Sequence, residues 1–299
     1  MDVVVEFHDR LSEPDIQRIG VLISRVTDAD EVRPVSEHVW LHIRHGGDEA
    51  DQHLIVRRND EIVGYAHLDQ TDLVEGPSAE LAVDPSARQQ GIGTALVQAM
   101  IDVVPGGHLR LWSHGELAVS GQLALGMGFT QARILWQMRR SLFAPLPRLE
   151  IPAGVTIRAF QPGVDDDEWI ALNAAAFANL PDQGAWTRTD LGQRLAEPWF
   201  DPNGFLIAER NGQMIGFHWT KLHGGDAHDP IGEVYVLGID PSERGTGLGR
   251  VLTLAGLHYL RSLQLAQVML YVDATNTAAI GVYEGLGFTR WDTDVMYRR

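Results

Sequence analysis

The amino-acid sequence contains no cysteine, which excludes disulfide bonds and thiolate metal ligands. Basic residues are also scarce, with 24 against 40 acidic residues and a formal net charge of −16. Proteins that bind nucleic acids usually present a basic face, so this balance argues against a nucleic-acid partner and favours an amine-bearing one. Among the basic residues a single lysine occurs, Lys221.

Long apolar runs are missing as well. No stretch approaches the roughly 20 apolar residues that cross a bilayer. The first residues lack the basic and apolar regions of a signal peptide. We therefore expect a cytoplasmic protein without a membrane partner. We also expect the chain to be a monomer, although nothing in the sequence determines its oligomeric state.

Several separated segments of the chain occur twice at a nearly constant distance. Constant offsets over such separated segments indicate that a whole domain was duplicated, in contrast to the short periods of solenoid repeats. The matching pairs are 62–67 with 214–219, Pro85 with Pro241, and 126–129 with 285–288.

A proline-rich segment separates the two copies. Residues 141–154 contain three prolines, which disfavour a helix and indicate a linker. A length of 299 residues suits two domains. We therefore predict an N-terminal domain over 1–140 and a C-terminal domain over 155–299.

Each half has the same predicted order of elements. A strand and one or two helices precede a hairpin, which turns at Asn59-Asp60 in the first half and at Asn211-Gly212 in the second. A strand, a glycine-rich turn, a helix, a strand, a helix and a final strand follow. This order predicts an α+β fold in which helices flank a mixed, mostly antiparallel central sheet.

The glycine-rich turns lie between a strand and a helix, where backbone N–H groups can bind an anion. A nucleotide P-loop needs Gly-Lys-Ser/Thr, which the single lysine, preceded by Thr220, does not provide. The dinucleotide fingerprint requires a different glycine spacing early in a βαβ unit. Both turns, at 89–94 and 244–249, instead resemble the pyrophosphate loop of the GNAT superfamily of N-acetyltransferases.

That resemblance implies two tandem GNAT domains and acetyl-CoA as co-substrate. It also implies cofactor contacts from the turns and from the residues around them. In the first half these are Leu81, Ala82, Val83, Gln89, Gln90, Gly91, Ile92, Gly93 and Thr94. In the second half they are Leu237, Gly238, Ile239, Arg244, Gly245, Thr246, Gly247, Leu248, Gly249, Arg250, Asn276 and Ala279.

The second half alone completes the superfamily's catalytic signature. The segment 276–288 matches its Asn-x-x-Ala-Ile-x-x-Tyr pattern, which implies that Tyr283 protonates the departing thiolate. Glu233 lies on the strand before the turn and is the candidate base, because a carboxylate there can accept a proton from an ammonium group. Strand alternation predicts that Glu233, Tyr235 and Leu237 share one face.

The first half lacks these groups. Pro77, Leu117 and Ala124 occupy the positions that correspond to Glu233, Asn276 and Tyr283. We therefore predict that the N-terminal domain is not catalytic. Its turn could still bind coenzyme A or only preserve the fold.

A closer resemblance is to the mycothiol synthases, a family of tandem acetyltransferases. The matching segments span nearly the whole chain and include 216–221 and 232–238. The resemblance implies that the acceptor is the cysteinyl amine of cysteinyl-glucosaminyl-inositol. It implies substrate contacts from Glu37, Asp182, Lys221, Glu233 and Tyr271, although a glutamate is more usual where Asp182 stands. The alternatives are another small amine or peptide N-terminus as acceptor, and a non-catalytic acyl-CoA sensor.

One further pattern concerns metals. His38, His42 and His45 follow one another at spacings of four and three, so that they share a helix face. The His-Glu-x-x-His zinc motif is absent, and a polar helix face is the favoured interpretation. We therefore expect no metal ion.

Overall fold

A computed structural model describes residues 3–46, 50–71, 76–115, 117–178, 180–223 and 230–299, without the side chains of residues 181 and 182. The chain forms two units. Unit 1 comprises residues 1–134 and 293–299, and unit 2 comprises residues 135–292. None of the described helices has a stretch long and apolar enough to span a bilayer.

Unit 1 is built on a mixed sheet. Its strands lie in the order β1-β2-β3-β4-β5-β12-β6, and β4 and β5 are parallel neighbours. The strands are β1 (Glu6–His8), β2 (Gln52–Arg58), β3 (Glu61–Asp69), β4 (Ser78–Val83), β5 (Arg110–Ser113), the first part of β6 (Thr130–Ser141) and the last part of β12 (Thr289–Arg298). The helices are α1 (Glu13–Asp30), α2 (Glu37–His45), α3 (Ile92–Val103) and α4 (Ala118–Gly126).

Unit 2 repeats this plan. Its strands follow the order β12-β6-β11-β10-β9-β8-β7, and β10 and β11 are parallel. Besides parts of β6 and β12, they are β7 (Val155–Ala159), β8 (Phe205–Arg210), β9 (Gln213–His223), β10 (Ile231–Ile239) and β11 (Gln267–Asp273). The helices are α5 (Asp166–Ala176), α6 (Pro181–Gly184), α7 (Arg188–Leu195), α8 (Leu248–Ser262) and α9 (Thr277–Glu284).

The unit boundaries differ from the predicted domains at both ends. The second half of β6 pairs with β11 from Leu135 to Ser141, so this segment belongs to unit 2. The end of β12 pairs with β5 from Val295 to Arg298 and belongs to unit 1. The difference arises because the ends of β6 and β12 pair with strands that are distant in sequence. The prolines of the predicted linker give no information on this pairing.

Both hairpins turn where the sequence predicts. Asn59 and Asp60 have φ angles of 48° and 64°, and Asn211 and Gly212 have φ angles of 54° and 78°. Two consecutive left-handed residues are typical of the two-residue turn that matches the twist of antiparallel strands.

Apolar clusters cover both faces of each sheet. In unit 1, α3 packs on one face through Leu96, and α1 packs on the other through Ile19. In unit 2, α8 contributes Leu257 to one cluster and α5 contributes Trp169 to the opposite one. Helices on both faces of a mixed sheet agree with the predicted fold class.

Candidate active site

The second glycine turn forms the exposed start of helix α8. Asp240 accepts hydrogen bonds from the backbone N–H (2.8 Å) and the hydroxyl (2.6 Å) of Ser242, which shape the preceding turn. Gly245 and Gly247 have φ angles of 80° and 87°, a region that glycine adopts at little cost. Within the described residues, no side chain caps the first N–H groups of α8. These donors are therefore available to an anion such as a pyrophosphate.

Arginines flank this turn. Arg244 donates from Nη2 to the carbonyl oxygen of Ala176 at 3.0 Å, and Arg250 donates from Nη1 to that of Gly285 at 3.5 Å. A guanidinium group has five N–H donors, so both arginines retain donors that can bind phosphate.

Strand β10 separates from β11 just before the turn. It pairs with β9 along its length from Ile231 to Ile239, whereas its described pairs with β11 stop at Val234. The residues Leu237, Gly238 and Ile239 therefore have one backbone edge at a gap in the sheet. An added Cβ at Gly238 would lie 2.5 Å from the ring of Phe217, which explains the glycine.

A β-bulge at Tyr235 overturns the predicted alternation of β10. The register with β9 shifts between Val234 and Val236. Tyr235 and Val236 both pack into the aromatic cluster below α5, whereas Val234 and Leu237 pack on the side of α8. The prediction that Leu237 shares a face with Tyr235 is therefore wrong, because the extra residue of a bulge reverses the faces beyond it.

Glu233 lies one residue before the end of the β10–β11 pairing. It is buried, with 6% of its surface exposed, and it stands directly opposite Lys221 of β9. Its Oε2 lies 2.5 Å from Nε2 of His223, whose side chain is about one-third exposed. A buried carboxylate with a partly exposed imidazole partner can accept a proton and pass it towards solvent.

Lys221 lies over an aromatic surface. The residue is 7% exposed, and its Nζ is 4.8 Å from the ring centroid of Trp199 and 5.1 Å from that of Tyr235. The hydroxyl of Tyr235 accepts a 2.8 Å hydrogen bond from Arg194 Nε, and that guanidinium stacks 3.8 Å from the ring of Trp186. Small-molecule sites are often lined by aromatic side chains with a few charged groups among them, and this group of residues has that composition.

Tyr283 projects from α9 into the cluster that includes Val234 of β10 and Val272 of β11. Burial raises the pKa of its hydroxyl to about 12. The phenol therefore stays protonated at neutral pH and is available as a hydrogen-bond donor. At the start of the same helix, the side chain of Asn276 accepts a 3.1 Å hydrogen bond from the backbone N–H of Ala279, which makes Asn276 a helix cap.

The first glycine turn borders a cavity of 460 Å³ within unit 1. That volume lies in the range of small-molecule sites. All the cofactor residues predicted in this half line the cavity except Gln90, whose amide oxygen accepts a hydrogen bond from Arg58. Neither Glu233 nor Tyr283 lines this cavity, so the candidate chemistry is assigned from side chains rather than from cavity size.

Arg88 was missed by the sequence reasoning, which began the first turn one residue too late. Both Arg88 and Arg244 directly follow a 3-10 turn, so these two arginines correspond. Arg88 forms a bidentate pair with Asp30 at 2.8 and 2.7 Å and lines the cavity. The preceding Asp-Pro-Ser, shared by both copies, was the signal that could have aligned them.

The remaining predicted substrate residues have no described contact with Glu233 or Lys221, or their side chains lie outside the described residues. Glu37 is the first residue of α2 in unit 1. Tyr271 of β11 is 42% exposed and accepts a 2.7 Å hydrogen bond from Gln137 Nε2. Asp182 falls in helix α6, and its side chain lies outside the described part of the chain. The structure thus brings together Glu233 and Lys221, and it adds His223, Trp199 and Arg194.

Comparison with known proteins identifies the family of the chain. The model of the acetyltransferase (GNAT) family matches residues 23–119 and 169–288. The chain is 53% identical to a mycothiol acetyltransferase of Acidothermus cellulolyticus, over 99% of this chain and 94% of the relative. It is 52% identical to one of Thermobispora bispora over the full length of both. A tandem GNAT protein from the clavulanic acid biosynthesis pathway has the same fold, with a TM-score of 0.73, 19% identity, and coverage of 99% and 98%.

Proposed function

The chain belongs to the acetyltransferase (GNAT) family, and we propose that it transfers the acetyl group of acetyl-CoA to the cysteinyl amine of cysteinyl-glucosaminyl-inositol, with mycothiol and coenzyme A as products. The acceptor is inferred from relatives that are 53% and 52% identical along nearly the whole chain and are named mycothiol acetyltransferases. The acyl chemistry is inferred from unit 2.

The observation that carries the chemistry is the position of Glu233 on β10. One strand holds a buried carboxylate opposite Lys221 and then leaves its neighbour β11. The glycine turn follows this strand and leads to the start of α8, which no described side chain caps. If acetyl-CoA binds with its pyrophosphate at Gly247 and its thioester in the gap between β10 and β11, the thioester carbonyl lies close to β10. Backbone N–H groups near Leu237 would then donate hydrogen bonds to the carbonyl oxygen as negative charge develops.

Glu233 acts as the base in this proposal. An α-ammonium group has a pKa near 8, so its deprotonation at neutral pH needs only a modest driving force. Glu233 accepts one proton from the ammonium, and the free amine then attacks the thioester carbon. His223 holds the carboxylate at 2.5 Å and is itself partly exposed, so it offers the proton a route to solvent.

Tyr283 acts on the departing sulfur. The C–N bond forms, the C–S bond breaks, and the second proton of the attacking nitrogen ends on the thiolate. Complete transfer from a phenol whose pKa burial raises to about 12 to a thiolate near 8.5 is uphill by about 5 kcal/mol. Tyr283 therefore stabilises the thiolate mainly as a hydrogen-bond donor, while it relays the proton released by the nitrogen.

Lys221 and the aromatic surface at Trp199 and Tyr235 would contact the acceptor. An ammonium group of the lysine can donate hydrogen bonds to sugar and inositol hydroxyls. The surplus of acidic residues favours a substrate that carries a positive amine. Unit 1 would not catalyse transfer, because Pro77, Leu117 and Ala124 offer no acid or base.

The decisive experiment incubates the purified chain with acetyl-CoA and cysteinyl-glucosaminyl-inositol. The acceptor carries its own thiol, so N-acetylated product should be followed by mass spectrometry rather than by thiol titration. We expect Glu233→Gln to lower kcat by 10²–10⁴-fold, the typical range for loss of a general base. Glu150→Gln, at an exposed glutamate of the same unit, is the matched control.

The outcomes separate the hypotheses. No acetylated product with this acceptor would refute the proposed substrate, and equal rates with unrelated amines would favour another small-amine acceptor. Undiminished turnover in Glu233→Gln would refute the assigned base. For His223→Gln we expect a change in the pH dependence of kcat/KM with little change in acetyl-CoA KM, a pattern that a purely structural role would not produce.

A further inference from the structure

A buried histidine cluster in unit 1 has no part in the proposed chemistry. It consists of His42 on α2, Asp51 just before β2, and His67 on β3, with exposures of 3%, 1% and 0%. Asp51 Oδ2 lies 2.6 Å from His42 Nδ1 and 3.8 Å from His67 Nε2. One ligand atom from each residue lies within 4.8 Å of the other two.

Hydrogen bonds within the described residues leave several nitrogen atoms of this cluster without a partner. Among the described residues, neither ring nitrogen of His67 has a hydrogen-bond partner. His42 Nδ1, although close to Asp51, does not meet the geometry of a hydrogen bond. Every imidazole carries at least one N–H, and burial of an unpaired donor costs about 1–3 kcal/mol. Native proteins seldom leave such groups without a partner of some kind.

We propose that His42, Asp51 and His67 bind a divalent transition-metal ion of the zinc type. Two imidazoles and one carboxylate are ligands that zinc accepts, and neutral imidazole nitrogens supply lone pairs instead of needing hydrogen-bond partners. Ligands about 2.1 Å from a tetrahedral ion lie about 3.4 Å apart. The separations in the cluster bracket this value, so shifts of about 1 Å would complete the geometry.

A cavity reaches the cluster at His42. His42 and His53 line a second cavity, of 480 Å³, that is bordered by Arg10 and His45. An ion can enter from this side, and a water molecule there can serve as the fourth ligand. Because the three protein ligands come from α2, the residue before β2, and β3, the ion would hold a short helix against the sheet and act as a structural site.

The test uses the full-length chain without an affinity tag, so that no added histidines bind metal. Zinc content is measured by elemental analysis after dialysis against zinc with excess magnesium, because the acidic surface attracts divalent cations non-specifically. We expect one zinc per chain, lost in His67→Gln and retained in His45→Gln, an exposed histidine of the same helix. At zinc 100-fold above Kd, Tm should rise by about 5–10 °C.

Cobalt substitution keeps the test meaningful if His67→Gln fails to fold. Bound Co²⁺ in the wild-type chain should give the intense visible absorption of a tetrahedral nitrogen–oxygen site, and zinc should displace it. Three results would each overturn the proposal: no such spectrum, a zinc content no higher than one-tenth per chain, or unchanged zinc binding in a folded His67→Gln. The cluster would then consist of an ion pair between His42 and Asp51 beside His67.

Discussion

A buried charge network in unit 1 predicts an unusual loss of stability at alkaline pH. His114 lies between two carboxylates: its Nε2 is 3.4 Å from Glu80 and its Nδ1 is 3.0 Å from Asp294. Burial alone would lower the pKa of His114, but the charges of Glu80 and Asp294 and their hydrogen bonds outweigh it and raise that pKa to about 10. The imidazole is therefore a cation at neutral pH.

The sign and size of the effect follow from linkage. A histidine whose folded pKa is raised contributes stability that is fully present below its unfolded value of 6.5 and is lost as pH rises towards 10. A difference of about 3.5 pKa units corresponds to about 5 kcal/mol, and roughly 3 kcal/mol of it is lost between pH 6.5 and 9.5. This is a large part of a typical domain's 5–15 kcal/mol.

The composition makes this pH window favourable for measurement. The chain has no cysteine and one lysine, so few other groups titrate between pH 7 and 10. Urea unfolding at pH 6.5 and 9.5 should be followed by hydrogen-exchange mass spectrometry, because peptides of unit 1 and unit 2 are read separately. With a urea m-value of about 1–3 kcal/mol/M, the midpoint of unit 1 should fall by about 1–3 M.

Two variants decide the interpretation. His114→Gln leaves two buried carboxylates without their cation, so unit 1 should be less stable at pH 6.5 and nearly insensitive to pH. His108→Gln, at an exposed histidine of the same unit, should behave like the wild type. An equal alkaline loss in His114→Gln and in the wild type would refute the assignment to His114.

Three further predictions concern unit 2 and the paired glycine turns. Tyr283→Phe should lower kcat for product formation with little change in acetyl-CoA KM, because only the donor to the departing thiolate is lost; an unchanged kcat would exclude that role. Gly247→Glu should abolish acetyl-CoA turnover, because the carboxylate repels the pyrophosphate and a φ of 87° is unfavourable for glutamate. Gly91→Glu should leave turnover largely intact. A folded but inactive Gly91→Glu would contradict this expectation. Gly256→Ala should destabilise the chain by about 1–3 kcal/mol in thermal unfolding, because the added Cβ would lie 2.1 Å from the buried ring of His218; a Tm within 1 °C of wild type would contradict the packing.

The bulge at Tyr235 shows where sequence reasoning on the site stopped. Strand periodicity placed Glu233 correctly on a strand that leads to the glycine turn, but it assigned Leu237 to the wrong face. A single extra residue reverses the alternation, and the register with β9 rather than local composition decides its position. His223 was missed because only the pairing of β9 with β10, which the sequence does not reveal, brings its side chain to 2.5 Å from Glu233.

The sequence by itself determined the duplication, the two glycine turns, the hairpins at Asn59 and Asn211, and the absence from the first half of counterparts to Glu233, Asn276 and Tyr283. These features depend on glycine conformation, turn chemistry and residue identity, which are local. Tertiary structure alone decided the unit boundaries, through the pairing of β6 with β11, and the burial of Tyr283. It also decided the histidine cluster: helix spacing related His42 only to its neighbours on α2, whereas Asp51 and His67 come to it from the sheet through contacts distant in sequence.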